Sequence, residues 1–332
     1  MTFGHACGMV LRLLLPTSVY AKIRKVYIKT YTKISRKHNR KFSPRDKFFE
    51  LSLTDQTLTD QQRKMLAHFL DTGGVYMGDN TDLYFGRGNL ETHLDKDGFV
   101  HVVSGGKELY FKAGMSKEEA ICHFNSNAAE MDVLSPHRYV TEENYIIGTI
   151  SPSPQERCPN SAHDSFCVKL GDVVADIGAQ EANFSLSVID IASHVYIFEC
   201  EKCWTDALTR TFAKYKDKVT IVNKYVGDKD GGDFVTLDSF FEGKQINFIK
   251  ADIEGAETSM LAGGKKLFGS RKDLKAAVCT YHRTHDAKNA ERFFNNLGYN
   301  TTFTDGEMFY PCGDQSDYIK DYFRKAIIRA WK

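Results

Sequence analysis

The stretch GDVVADIGAQEANFSLSVIDIASHVYIFEC, residues 171–200, decides the fold. Val173 to Ile177 is a short, largely β-branched run between Gly171 and Gly178. Such a run suits a parallel strand buried between helices. A helix follows from about Gln180, carrying Phe184, Leu186, Val188 and Ile189. A second apolar run, Val195 to Phe198, stops at the acid Glu199. Strand, glycine turn, helix and strand make a βαβ unit with a tight turn at its ligand-facing end.

The turn narrows the ligand. Gly178 lets the backbone approach a bound molecule closely, and an acid closing the second strand accepts hydrogen bonds from ribose hydroxyls. A dinucleotide fold wants G-x-G-x-x-G, because its pyrophosphate rests on the helix N-terminus. Here the turn reads Gly178-Ala179-Gln180-Glu181-Ala182-Asn183, with one glycine and an added carboxylate. That set is poor for a pyrophosphate and better for a cation such as S-adenosylmethionine, with its sulfonium and ammonium. A nicotinamide dinucleotide, or a glycine of purely local use, remains the alternative at this point.

Helix and strand go on alternating beyond Glu199. Trp204 to Tyr215 reads as a helix, Val219 to Val222 as a third strand, and Gly227 to Gly231 as a turn. Asn247 to Ala251 is a fourth strand that runs into Asp252-Ile253-Glu254-Gly255-Ala256-Glu257. Glu254 and Glu257 suit the first turn of a helix. Asp252 falls where an α/β sheet binds its ligand. Ala276 to Thr280 is a fifth strand, which sets His282 on the same edge as Asp252 and Glu199. Ala287 to Leu297 is a helix closed by Gly298, and Thr301–Phe303, Met308–Tyr310 and Ala326–Ala330 are the last strand candidates.

The N-terminal half has a different texture. The chain has 332 residues and a net charge of +1. The first 45 residues hold eleven Lys or Arg and no acid, which leaves the rest 33 basic and 43 acidic residues. A mildly acidic body does not fit a general nucleic-acid binder. Val19, Ile23, Val26, Tyr27 and Ile34 recur at helical spacing among lysines and arginines, the pattern of a basic amphipathic helix on an anionic membrane surface. A flexible tail, a transit peptide or a helix docked on a partner protein competes with it. The apolar run Met9 to Leu15 is too short to span a bilayer.

Ser43 to Asp60 reads as a loop and Gln61 to Leu70 as a short helix. Leu83–Phe85, Phe99–Val103 and Leu109–Phe111, separated by glycine turns, read as a small antiparallel β region. Met115 to Met131 reads as a helix capped by Ser116 with Glu119 three residues on. Thr149 to Ser165 reads as a linker or lid. The domain plan is therefore a basic segment 1–45, an α+β acceptor or cap region 46–150, and a cofactor-binding domain 151–332. Eight cysteines show neither a disulfide framework nor paired zinc ligands, and Cys200-x-x-Cys203 alone leaves a redox or metal use weakly supported.

Several blocks of the second half resemble the FkbM family of S-adenosylmethionine-dependent methyltransferases. They are Asp176 to Glu181, Phe198-Glu199, Thr236-Leu237-Asp238, Ile249 to Glu257 and Leu297-Gly298-Tyr299. Lys250-x-Asp252-x-Glu254-Gly255-x-Glu257 is the most specific. Ser135 to Tyr139 and Cys279 to Arg283 are similar to segments of bacterial surface-glycan members. The chain departs from the family at Ala182, where glycine is usual. The resemblance implies a class I methyltransferase fold, an α/β Rossmann-like, mostly parallel seven-stranded sheet with one antiparallel strand, here with an N-terminal α+β extension. By position it implies that Asp176, Gly178, Ala179 and Glu181 line the amino-acid end of the cofactor, Glu199 the ribose and Asp228 the adenine. Asp252, Glu254 and His282 would face the methyl group and the acceptor.

The expected activity is O-methylation of a sugar hydroxyl in a glycan or lipid-linked glycan, by in-line displacement, with His282 or Asp252 as base. A divalent ion such as magnesium on Asp252 and Glu254 is an alternative activator. The expected location is the cytoplasm, peripheral to the inner face of a membrane. Other readings are methylation of a small metabolite or protein, and a membrane-surface binding module with an inactive core.

Overall fold

The computed structural model describes residues 44–71, 91–104, 106–129, 166–304, 307–311 and 314–332. The basic segment, Leu83–Phe85, Ser135–Tyr139 and the 149–165 linker therefore lie outside the described residues, apart from Pro44 and Arg45 at the end of the basic segment.

Seven strands form the main sheet. They are β4 (Val173–Ile177), β5 (His194–Phe198), β6 (Val219–Val222), β9 (Phe248–Ala251), β10 (Lys275–Cys279), β11 (Asn300–Phe303) and β14 (Ile327–Trp331). Their order is β11-β14-β10-β9-β4-β5-β6. Neighbours from β6 through β10 are parallel, whereas β14 is antiparallel to both β10 and β11. This is the class I methyltransferase arrangement. The chain leaves β4 for β5 on one side and later enters β9 on the other. Their C-terminal ends therefore diverge, and that crevice is where an open α/β sheet takes its ligand.

Each central strand is buried on both faces, with side chains alternating between two cores. Val173, Ala175 and Ile177 enter one, with Ile249, Ala251 and the helices α7 (Glu257–Gly263) and α9 (Asp286–Asn296). Val174 and Phe248 enter the other, with α4 (Asn183–Val188) and α5 (Lys202–Thr211). Asp176 and Lys250 are register partners on neighbouring strands and point into this second, apolar side. Lys250 Nζ lies 3.0 Å from Asp176 Oδ1 and also donates to the Gly178 carbonyl at 2.9 Å. Ser185 Oγ donates to the other Asp176 oxygen at 2.7 Å. Burial works against the Lys250 ammonium, but Asp176 and then Asp252 outweigh it and hold its pKa well above the ordinary lysine value.

Three expectations change. The helix after β4 begins at Asn183, not Gln180, because Gln180 and Ala182 have left-handed φ of 51° and 63°. Glycine takes up that conformation freely, which explains why it is usual in the family at Ala182; alanine carries about 1–2 kcal/mol of strain there. Ser43 to Asp60 is not wholly loop, since α1 (Pro44–Ser52) starts with proline in its first turn and buries Phe49. Met308–Tyr310 does not join the main sheet. Its β12 (Met308–Phe309) pairs with β13 (Phe323–Arg324) as a separate ribbon.

The region before the sheet packs in two places. α1 and α2 (Asp60–Asp71) lie against the β12–β13 ribbon through Phe49, Leu66, Phe309 and Tyr322. Strands β1 (Glu91–Leu94), β2 (Val100–Ser104) and β3 (Lys107–Tyr110) form an antiparallel sheet. That sheet and α3 (Lys117–Ala129) share one continuous core with α4 and α5. β1 has no apolar alternation to read, only Glu-Thr-His-Leu. The Ser116 cap forms as expected: Glu119 N–H donates to Ser116 Oγ at 3.1 Å and Ser116 N–H to Glu119 Oε2 at 2.8 Å.

Removing one partner of a buried ion pair costs about 3–5 kcal/mol, because a charge is left alone in a low dielectric. Lys250→Met should therefore lower the midpoint of urea unfolding strongly. Asp176→Asn combined with Lys250→Met should recover much of that loss, and a double variant as unstable as the sum of the singles would contradict the pairing.

Candidate active site

The C-terminal ends of β4, β5, β9 and β10 carry Gly178, Glu199, Asp252 and the segment Thr280-Tyr281-His282. Gly178 has φ +72°, and a side chain there would put its first carbon 1.8 Å from the Asp252 carbonyl oxygen. The turn after β4 thus lies directly on the turn after β9, and only glycine permits it. Glu254 (φ 54°) and Gly255 (φ 95°) bend the second turn away again. Non-glycine residues in that conformation are uncommon and cluster at functional sites.

Glu199 ties the first turn to the end of β5. It is buried, and its carboxylate accepts from Gln180 N–H at 2.9 Å and Glu201 N–H at 2.8 Å. An ionised carboxylate has about four acceptor positions, so two remain for a ligand's hydroxyl groups. Gly178 and Ala179 N–H groups both donate to the Phe198 carbonyl, at 3.0 and 3.2 Å. Gly178 therefore offers a ligand close approach and not a donor. A small cradle beside a buried carboxylate with spare acceptors fits the ribose and methionine ends of S-adenosylmethionine.

Two residues assigned to the cofactor by sequence have other partners. Asp176 has no exposed surface, and its carboxylate is taken by Lys250 and Ser185. It sets the turn from behind. Glu181 is also buried; His123 of α3 lies 3.0 Å from one of its oxygens, and Asn183 Nδ2 donates to the other at 3.0 Å. Burial would drive the proton off His123, but Glu181 prevails and raises its pKa. Glu181 therefore joins the turn to the N-terminal layer. Asp228 is exposed in the loop after β7 (Tyr225–Val226), where Gly227 rests on Gly263 of α7 so closely that a side chain at Gly263 would come within 1.9 Å of the Gly227 carbonyl.

The other edge gathers acids around one imidazole. His282 is 3 % exposed; its Nδ1 is 2.8 Å from Glu257 Oε1 and its Nε2 is 3.3 Å from Asp252 Oδ1 and 3.6 Å from Glu254 Oε2. Burial opposes the imidazolium, yet Glu257, Asp252 and Glu254 together raise the pKa above the ordinary histidine value. A raised pKa leaves less of the neutral imidazole that a general base needs. Asp252 is only partly covered and takes the Tyr281 hydroxyl at 3.3 Å. Glu254 reaches into solvent with a side chain 83 % exposed.

Residues distant in sequence frame this edge. Buried Arg324, from β13, donates to the carbonyls of Tyr281 and His282 at 2.8 and 2.7 Å and to Asp314 at 2.8 Å. It pins the backbone that aims His282. Tyr310 stands over the same place, its ring 5.0 Å from Tyr281 and 5.9 Å from His282. Sequence reading missed His123, Tyr310 and Arg324 because nothing local marks them. Glu257 was visible but read as a helix cap, a part it also plays by accepting the Ile253 N–H at 3.0 Å. Cys200 is a free thiol whose pKa burial and Glu199 push up, and Cys203 is a free thiol exposed at the start of α5.

Residues 233–301, which include the Asp252–Glu257 turn and His282, match the model of the methyltransferase FkbM domain. No curated protein matches the sequence. Among solved structures, a methyltransferase FkbM from Methylobacillus flagellatus KT is similar at 18 % identity and TM-score 0.40, over 48 % of this chain and 44 % of that one. The match thus spans less than half of the Methylobacillus protein. TYW2 from M. jannaschii, in complex with AdoMet, is similar at 10 % identity and TM-score 0.37, over 72 % of this chain and 87 % of that one. A precorrin-6y C5,15-methyltransferase from Geobacter metallireducens GS-15 is similar at 15 % identity and TM-score 0.34, over 50 % and 83 %. Residues 233–301 thus resemble a methyltransferase FkbM domain, and they lie in a sheet with the class I methyltransferase strand order.

Proposed function

We propose that the protein is an S-adenosylmethionine-dependent O-methyltransferase acting on a sugar hydroxyl of a glycan or glycoconjugate. The observation that carries this is Glu199: a buried carboxylate with acceptors to spare, fixed to the Gly178–Gln180 turn at the sheet's switch point. Gly178 and Glu199 would hold the cofactor, with Asp252 between it and the acceptor. When bound, S-adenosylmethionine supplies the activated methyl group and a good leaving group. The chain's own task is to orient the acceptor and take its proton. Asp252 is the acceptor of that proton, since it is open to the crevice and His282 is not. His282, held by Glu257 and Arg324, keeps Asp252 in position.

A sugar is favoured by what borders Asp252. Half-buried Tyr310 offers an aromatic ring beside Asp252 and its neighbouring carboxylates, with buried Tyr281 packed behind it. Such a surface suits a ligand with apolar C–H faces and a rim of hydroxyl groups. No helix among the described residues is long and apolar enough to cross a membrane. The basic first 45 residues supply a different means of staying near lipid-linked acceptors, because each Lys or Arg adds about 1 kcal/mol near an anionic surface.

Full-length protein should bind S-adenosylhomocysteine and hardly bind NAD. Replacing Glu199 by Ala removes charge-assisted hydrogen bonds worth about 1.5–3 kcal/mol, so the dissociation constant should rise about tenfold or more. An unchanged constant by calorimetry would exclude the role given to Glu199. In transfer of labelled methyl to a glycan extract, Asp252→Asn should cut turnover by about two orders of magnitude with circular dichroism unchanged. Full activity in that variant would move the proton acceptor elsewhere. Finally, the intact chain should sediment with anionic liposomes at low salt and leave them at high salt. A version lacking residues 1–45 that sediments equally well would exclude the membrane role of that segment.

A further inference from the structure

The acidic edge holds more negative charge than methyl transfer requires. Asp252, Glu254 and Glu257 converge on one imidazole. Even with His282 protonated, three carboxylates exceed it by two charges. Nearby cations are occupied: Lys250 is paired with Asp176, Arg324 is turned to backbone carbonyls and Asp314, and Arg283 Nε donates to the Gly255 carbonyl. Glu257 is 1 % exposed, and its Oε2 is buried with no hydrogen-bond donor among the described residues. A buried carboxylate oxygen without a donor costs several kcal/mol unless a cation meets it.

We infer that Asp252, Glu257 and His282 form a binding site for a divalent transition-metal cation, closed on the solvent side by Glu254. One donor atom from each of the three lies within 4.8 Å of the other two. An ion bound at about 2.0–2.2 Å from its ligands spans donor pairs up to about 4.4 Å apart, so a small side-chain adjustment closes the cluster. One imidazole with two carboxylates is a mixed nitrogen and oxygen set. It suits manganese, iron, cobalt or zinc better than magnesium or calcium, which favour oxygen alone. The three residues come from different places, β10's end for His282, β9's end for Asp252 and the first turn of α7 for Glu257, so the fold itself assembles them. A local helix cap needs only Glu257. The site stands on this cluster alone; its use in activating an acceptor hydroxyl rests on the methyl-transfer reading above.

The test is titration of full-length, chelator-dialysed protein with manganese(II), followed by the paramagnetic resonance of the free ion. One equivalent should bind, with zinc displacing it more readily than magnesium or calcium. Glu257→Gln retains an acceptor for the Ile253 N–H and should weaken manganese binding about tenfold or more, as should Asp252→Asn. If Glu257→Gln fails to fold, Asp252→Asn decides alone. No binding by the wild type at submillimolar manganese, or equal binding by a folded variant, overturns the site. S-adenosylhomocysteine binding is read on the same samples. Manganese taken up without it supports the site while counting against methyl transfer; the nucleoside bound without manganese does the reverse.

Discussion

The ion pair between Asp176 and Lys250 is the constraint on which the ligand crevice depends. It joins β4 to β9, the two strands between which the sheet changes direction, at the level where both are about to end. A salt bridge so deeply buried is weak support for stability, because desolvation offsets most of its attraction. Its value is positional. Lys250 also holds the Gly178 carbonyl, so the turn that must accept a cofactor is fixed to the strand that carries Asp252. Gly178 completes the arrangement by allowing the two turns to touch.

From that joint the site divides into two functional sides. Toward β5 lies Glu199, a carboxylate oriented by two backbone N–H groups, the group proposed to take a ligand's hydroxyls. Toward β10 lies His282, oriented by Glu257 and by Arg324 through the backbone. The N-terminal layer reaches the first side through His123, and the C-terminal ribbon reaches the second through Tyr310 and Arg324. Both additions to the sheet therefore serve to fix groups around the crevice.

Much of this was legible in the sequence. Largely apolar runs bounded by glycine and acid revealed the parallel strands, since a strand buried on both faces has few polar interruptions, here Asp176 in β4 and Lys250 in β9. The edge position of Glu199, Asp252 and His282 followed from where those runs end. What a carboxylate faces was not legible. Asp176 and Glu181 are carboxylic side chains like Glu199, and only packing shows that Lys250 and His123 claim them. Left-handed residues were equally hidden, because Gln180 and Ala182 do not announce a positive φ as glycine does. Short ribbons such as β12–β13 escaped because two-residue strands carry no period to read.

The proposed ligand crevice is where the ends of β4, β5 and β9 meet. Hydrogen–deuterium exchange of the full-length protein, with and without S-adenosylhomocysteine, tests it most directly. Slower exchange should appear in the segments 178–182, 199–201 and 252–255 while the β1–β3 sheet is unchanged. Protection confined to other segments, with these three exchanging as before, would place the ligand site elsewhere.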